Sequence, residues 1–168
     1  MTQKDYILRI AEDVGRALAQ IISHKKIQDY QGAHSLIDDL LKQTLGAGSG
    51  FIHAISEETL LAMLTSFGIL NVEKALTIAT LLKAEGDIYE EQGNHDAAYG
   101  NYLKSLNLFL QIVLRDDNLH DLHISQEVED TLDKLEAYDL PLNTKHLLFH
   151  LYVCTFVRRD GKKGYCMV

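Results

Sequence analysis

Pro141 is the only proline in 168 residues, and that scarcity is the strongest constraint on how this chain can fold. Proline interrupts a helix from within, because it lacks a backbone donor and its ring clashes with the preceding turn. A chain almost free of it can run long helices, and the apolar residues here are spaced to do so. From Asp5 to about Lys26 they recur as Ile7, Ile10, Val14, Leu18, Ile21 and Ile22, the spacing of a helix with one buried stripe. Runs of Val, Thr and Ile, which strands favour, are rare. Apolar residues make up 46% and charged residues 24%, so the chain can bury a core of its own. The prediction is an all-α fold in one domain over residues 1–159, with 160–168 as a flexible tail.

About seven helices follow from the periodicity and its breaks. A second stripe, Ala33, Leu36, Ile37, Leu40 and Leu41, follows a short turn at Gln28 to Tyr30, so the first two helices are antiparallel. Three glycines between Gly46 and Gly50 predict a mobile loop. That loop follows a helix and lacks the Lys-Ser/Thr pair of a phosphate-binding loop. Ser56 is placed to cap a third helix, with Glu57 and Glu58 in its first turn and Leu60, Leu61, Leu64 and Phe67 inward. Asn71 caps a fourth helix with Val72, Ala75, Leu76, Ala79, Leu82 and Tyr89 on its face. Gly93-Asn94 turns into a fifth, from His95 to Leu114, with Ala98, Tyr102, Leu106, Phe109 and Val113 inward. A sixth spans Ser125 to Tyr138 and stops at Leu140-Pro141. The last starts at Asn143 or Thr144 and reaches Arg159. It is apolar nearly all round, which predicts deep burial or pairing with another subunit.

Residues 79–112 carry more than amphipathicity. They contain Leu82, Gly86, Tyr89, Gly93, Ala98 and Tyr102 at the places where a tetratricopeptide repeat of about 34 residues wants a large apolar, Gly, Tyr, Gly, Ala and aromatic residue. Gly86 and Ala98 are the informative pair, since small side chains there let two helix backbones approach. Glu85 departs from the pattern, which usually has leucine, and Ser105 stands where alanine is usual. A weaker copy covers residues 14–42, with Tyr30, Ala33, Ile37 and Leu40 in its second helix but Ile21 in place of glycine. The layout also resembles an uncharacterised bacterial family with a tetratricopeptide-like fold. The likeness rests on Lys4-Asp-Tyr-Ile-Leu-Arg9, Ser56-Glu-Glu-Thr-Leu-Leu-Ala62, Glu85-Gly-Asp-Ile-Tyr89 and Leu140-Pro-Leu-Asn-Thr-Lys145. The resemblance implies an α-α superhelix or short helical array and assigns no activity. An open solenoid and a closed bundle both satisfy it.

The formal net charge of −8 repels phosphate backbones and argues against nucleic-acid binding. Arg158, Arg159, Lys162 and Lys163 form a local exception near the C-terminus, read as a solubilising tail that also suits the end of the last helix. No apolar stretch approaches the length of a membrane span. Two cysteines, Cys154 and Cys166, are too few for a disulfide framework, and the expected setting is cytoplasmic. Cys154, inside an apolar helical run, reads as a small core residue.

No catalytic arrangement and no cofactor are expected from the spacing of the residues. His146 and His150 lie four apart on one helix with Cys154 beyond them, so the two imidazoles could chelate a metal. Packing or surface histidines are the simpler reading. His120 and His123, near Asp116, Asp117 and Asp121, offer a second loose cluster, read more simply as a solvated loop. The expected function is therefore a non-enzymatic protein–protein interaction or scaffold module, with a small metal-binding protein or metalloenzyme using His146 and His150 as the alternative. In a repeat aligned as above, the first helix lines the concave face, which places Thr80, Lys83, Asp87 and Glu90 there for an unidentified protein or peptide. A homodimer is expected through residues 145–157 of the last helix.

Overall fold

The computed structural model describes residues 3–115 and 124–159, with side chains placed for 12–115 and 124–155. The chain is all-α. Its helices are α1 (Gln3–Lys26), α2 (Tyr30–Leu45), α3 (Ser49–Ala54), α4 (Glu57–Met63), α5 (Val72–Glu91), α6 (His95–Arg115), α7 (Ile124–Lys134) and α8 (Leu142–Arg159). Two short strands, β1 (Thr65–Ser66) and β2 (Ile69–Leu70), pair antiparallel with Thr65 opposite Leu70. None of the described helices is long and apolar enough to cross a membrane.

The helices pack as pairs, α1 with α2 and α5 with α6, while α7 and α8 both pack on α6. The α5–α6 hairpin is the centre of the molecule and its largest packing interface. Every residue that the periodicity places inward on α6, from Ala98 to Val113, is buried. The close approach predicted at Gly86 is present: a Cβ there would sit 2.7 Å from the Tyr102 ring, inside any van der Waals contact. Ser105, in the usual alanine position, donates its hydroxyl proton across the interface to the Ala79 carbonyl at 2.6 Å. Asn71 and Ser56 cap α5 and α4 as expected, accepting from the backbone N–H of Lys74 and Thr59.

The connection between the two pairs differs from expectation. The segment around Gly46–Gly50 is not simply a loop, because α3 begins inside it at Ser49. The Asp38 carboxylate accepts from the Ser49 N–H at 2.8 Å, and Ile52 is fully buried; a side-chain bond and one apolar anchor make a helical turn where glycine alone would favour none. The third predicted helix also stops early, at Met63, and Phe67 does not face the core. Phe67 and Gly68 form the turn between β1 and β2 with φ of 52° and 78°, both left-handed, as a two-residue hairpin turn requires. Phe67 is fully exposed. The added α3 brings the described helices to eight rather than seven.

The inserted α3–α4 segment is tied back to the central hairpin. Lys104 on α6 donates to the carbonyls of Ile52 and His53 at 2.8 and 2.9 Å. Leu60, Leu64 and Leu70 join the common core. On α8, Leu147, Leu148 and Cys154 are buried; Cys154 sits in the core as read, but in a disulfide rather than as a free thiol, which the cysteine count had not suggested. The helix is not buried all round, however: Leu142, Phe149, Tyr152 and Val153 face outward. The 160–168 tail, the basic cluster's side chains and the His120–His123 cluster lie outside the described residues.

Candidate functional site

The site read from the sequence lies on α5. Thr80, Lys83 and Asp87 line one groove of about 540 Å³ together with Leu18, Ile21, Ile22 and Lys25 of α1 and Glu127 of α7. They come together because positions three and four apart share a helix face. Glu90 is not part of that groove and instead pairs with His95 at 3.2 Å. The charged members are already engaged within the chain. Lys83 bonds Glu127 at 2.6 Å and reaches Asp130 at 3.6 Å, while Lys134 bonds Asp87 at 3.0 Å. Asp87 also accepts from the Tyr102 hydroxyl at 2.8 Å, and burial, with Asp87 adding, pushes that phenol's pKa up. These bridges fasten α7 across α5 and leave the apolar flank of α1 as the open side of the groove.

His146 and His150 sit beside one another with ring centroids 4.8 Å apart and the planes near perpendicular. Cys154 points into the core instead. Among the described residues no group of three His, Cys, Asp or Glu side chains converges as a metal ion would need.

A polar cluster that the sequence did not reveal is built around Glu85, which is 1% exposed. Ser49 donates to its Oε1 at 2.6 Å, and His53 Nε2 lies 2.9 Å from its Oε2. His34 Nδ1 stands 3.5 Å from Oε1 while its Nε2 lies 3.0 Å from the Gln92 amide oxygen. His53 Nε2 is also 3.0 Å from the Asn101 amide oxygen, whose orientation is set by Asn101 Nδ2 donating to the Ala97 carbonyl. Each imidazole thus faces acceptors that call for N–H donors. Tyr89 stacks against His34 at 4.6 Å and closes one side.

Burial alone would push the Glu85 carboxyl up. The donors from His34, His53 and Ser49 outweigh it and bring the carboxyl down to about 2. In the same way the bond to Glu85 pushes the His34 imidazole up, against its own partial burial. A buried charge is tolerated only when paired and hydrogen-bonded, and here both conditions hold. The arrangement does not prepare a nucleophile. Ser49 gives its proton to the carboxylate, and the His53 nitrogen nearest it carries a hydrogen already directed at two acceptors, so it is not free to act as a base.

Glu85 is therefore an anchor joining α2, α3, α5 and α6. Its signal in the sequence was the departure from the leucine that the repeat usually places there. The fold and its polar centre together define a class, an array of helix pairs with an inserted helical cap pinned by a buried carboxylate. No family model matches the chain, and no curated protein or solved structure matches it either.

Proposed function

We propose that this chain is a non-enzymatic protein–protein interaction module of tetratricopeptide-like architecture, serving as a scaffold and self-associating through α8. The observation that carries the reading is the outer face of α8. Leu142, Phe149, Tyr152 and Val153 lie exposed on one face of α8, and a contiguous exposed apolar face of this kind marks a surface that a partner covers. Aromatic residues unused by the core are also what association surfaces are enriched in. The groove lined by Thr80, Lys83 and Asp87 supports a second role, in which an extended or helical peptide lies against α1 and α5. Its polar walls and the exposed Ile22 suit a partner with mixed character. The cytoplasmic setting is part of the same proposal and rests on the sequence features above.

Sedimentation velocity over a concentration series tests self-association. The expected result is a concentration-dependent dimer for the wild-type chain and a monomer for the Phe149→Ser/Tyr152→Ser double variant, with unchanged helical circular dichroism. A wild-type monomer at all concentrations, or a double variant that still dimerises, overturns it. The metal-binding alternative has the adjacent rings of His146 and His150 in its favour. It requires stoichiometric zinc uptake that the His146→Ala/His150→Ala variant loses, read by elemental analysis after dialysis.

A further inference from the structure

Cys154 belongs to the apolar core and is 4% exposed, and it is disulfide-bonded. The chain has two cysteines, so the partner is Cys166. The bond therefore ties α8 to a position twelve residues further along the chain and brings no second helix to it. A structural disulfide does the opposite. It restricts the unfolded chain by joining parts that the fold holds rigidly together. Here α8 is already held by its packing on α6, with Leu147 and Leu148 in the common core.

The inference takes from the proposed function only its cytoplasmic setting. Disulfides of cytosolic proteins are mostly transient and redox-sensing, because the surrounding thiols keep cysteines reduced. A bond that is local in the chain and that the core does not need suits that use. We propose that Cys154 and Cys166 form a reversible redox latch, closed by oxidation, which draws the segment after α8 back along the helix. Paired cysteines hold their Cα atoms within about 7 Å. Arg159 ends α8 five residues past Cys154, about 7.5 Å further along the axis. While the bond holds, residues 160–166 have to return beside the end of α8, where Tyr152 and Val153 face outward. When it opens, that constraint is gone.

Opening is two exchanges with a dithiol. One dithiol sulfur, as thiolate, attacks the Cys166 sulfur, since Cys154 is buried, and Cys154 leaves as a thiolate that takes up a proton. The second dithiol sulfur then attacks the first, releasing Cys166 as a thiol. The dithiol ends as a disulfide and the protein with two thiols. Closing uses a small-molecule disulfide such as oxidised glutathione, which leaves as two reduced molecules.

The test equilibrates the full-length protein in glutathione buffers from reducing to oxidising, alkylates free thiols and reads intact mass. At the reduced-to-oxidised ratio of cytosol both cysteines should be alkylated, and in excess oxidised glutathione neither, with the protein still one chain in mass. Reduction should leave the helical circular dichroism unchanged and shift the melting temperature by less than about 4 °C, the least that loss of a structural disulfide would cost a chain this size. The Tyr152 and Val153 backbone amides should shift between the two states in wild type and stay at their reduced positions in Cys166→Ser, a variant that leaves the core cysteine in place. A bond that persists at the cytosolic ratio, never forms, or links two chains overturns the proposal. So does a larger fall in melting temperature on reduction, or amides at 152 and 153 that do not move. None of these readouts depends on self-association or on where the chain resides, so the latch and the proposed function fail separately.

Discussion

Replacing Glu85 by glutamine keeps the shape of the side chain and removes its charge, and the structure sets the cost in two ways. The carboxyl falls from its ordinary 4.5 to about 2 in the folded chain; at about 1.4 kcal/mol for each tenfold change in acidity, that is about 3 kcal/mol. Counted instead by bonds, Ser49, His34 and His53 each lose a charged acceptor, and a charged hydrogen bond exceeds a neutral one by about 1 kcal/mol. The two routes agree. The melting temperature of a chain this size should fall by about 6–12 °C. The sign with pH is more telling. The Glu85 carboxyl is depressed on folding, so its contribution is present above 4.5 and is lost as pH falls through 2. His34 is raised on folding, so its contribution is present below its ordinary 6.5 and is lost as pH rises through the folded value. The gap between wild type and Glu85→Gln should therefore be widest between about pH 4.5 and 6.5 and narrow on both sides. Urea melts at pH 3, 5.5 and 8.5 measure it. An equal gap at all three values would refute an ionic role for the cluster, leaving only a shape requirement.

Three other substitutions probe separate features. Gly86→Ala puts a methyl group into the Tyr102 ring and should cost about 1–3 kcal/mol in a denaturant melt. An unchanged midpoint would mean the helices can part there at no cost. Phe67→Asn should leave stability unchanged or raise it by up to about 1 kcal/mol, since the ring is fully exposed and its backbone is left-handed, a region that asparagine tolerates better. A clear loss in a thermal melt would show that the ring packs in solution. Ser105→Ala restores the residue usual in the repeat and removes the bond to the Ala79 carbonyl. Its cost should be about 0.5–1.5 kcal/mol by the same melt, and a stabilised variant would contradict the bond's contribution.

Local chemistry made the central hairpin legible. Asn71, Gly86, Gly93 and Ala98 each state a local requirement, a cap, a close approach, a turn or a contact, and each is met within residues 71–102. The caps at Ser56 and Asn71 could be read for the same reason. The inserted segment could not. Whether Ser49 starts a helix depends on Asp38, eleven residues earlier, and a glycine-rich stretch gives no local sign of it. Phe67 fits an apolar helix pattern by spacing, yet the helix ends at Met63, four residues before the stripe would be completed. The anchor at Glu85 draws partners from 51, 36 and 32 residues away along the chain, and no periodicity links them. Only the mismatch with leucine marked the position, and a mismatch does not name its cause.

The inserted cap also alters how the array comes apart. In a simple helical-repeat protein each unit touches only its neighbours, so ends fray and segments open independently. Here α3 and α4 reach from α2 to α6, carrying Ser49 and His53 to the carboxylate on α5, the backbone of Ile52 to Lys104, and Glu57 to Asn107. Opening either flank of the cap uncovers a charge that its partners must otherwise hold. Hydrogen exchange should find α2, α3, α5 and α6 opening as one cooperative unit, so the chain should behave thermodynamically as a globule even though its helices pack in pairs.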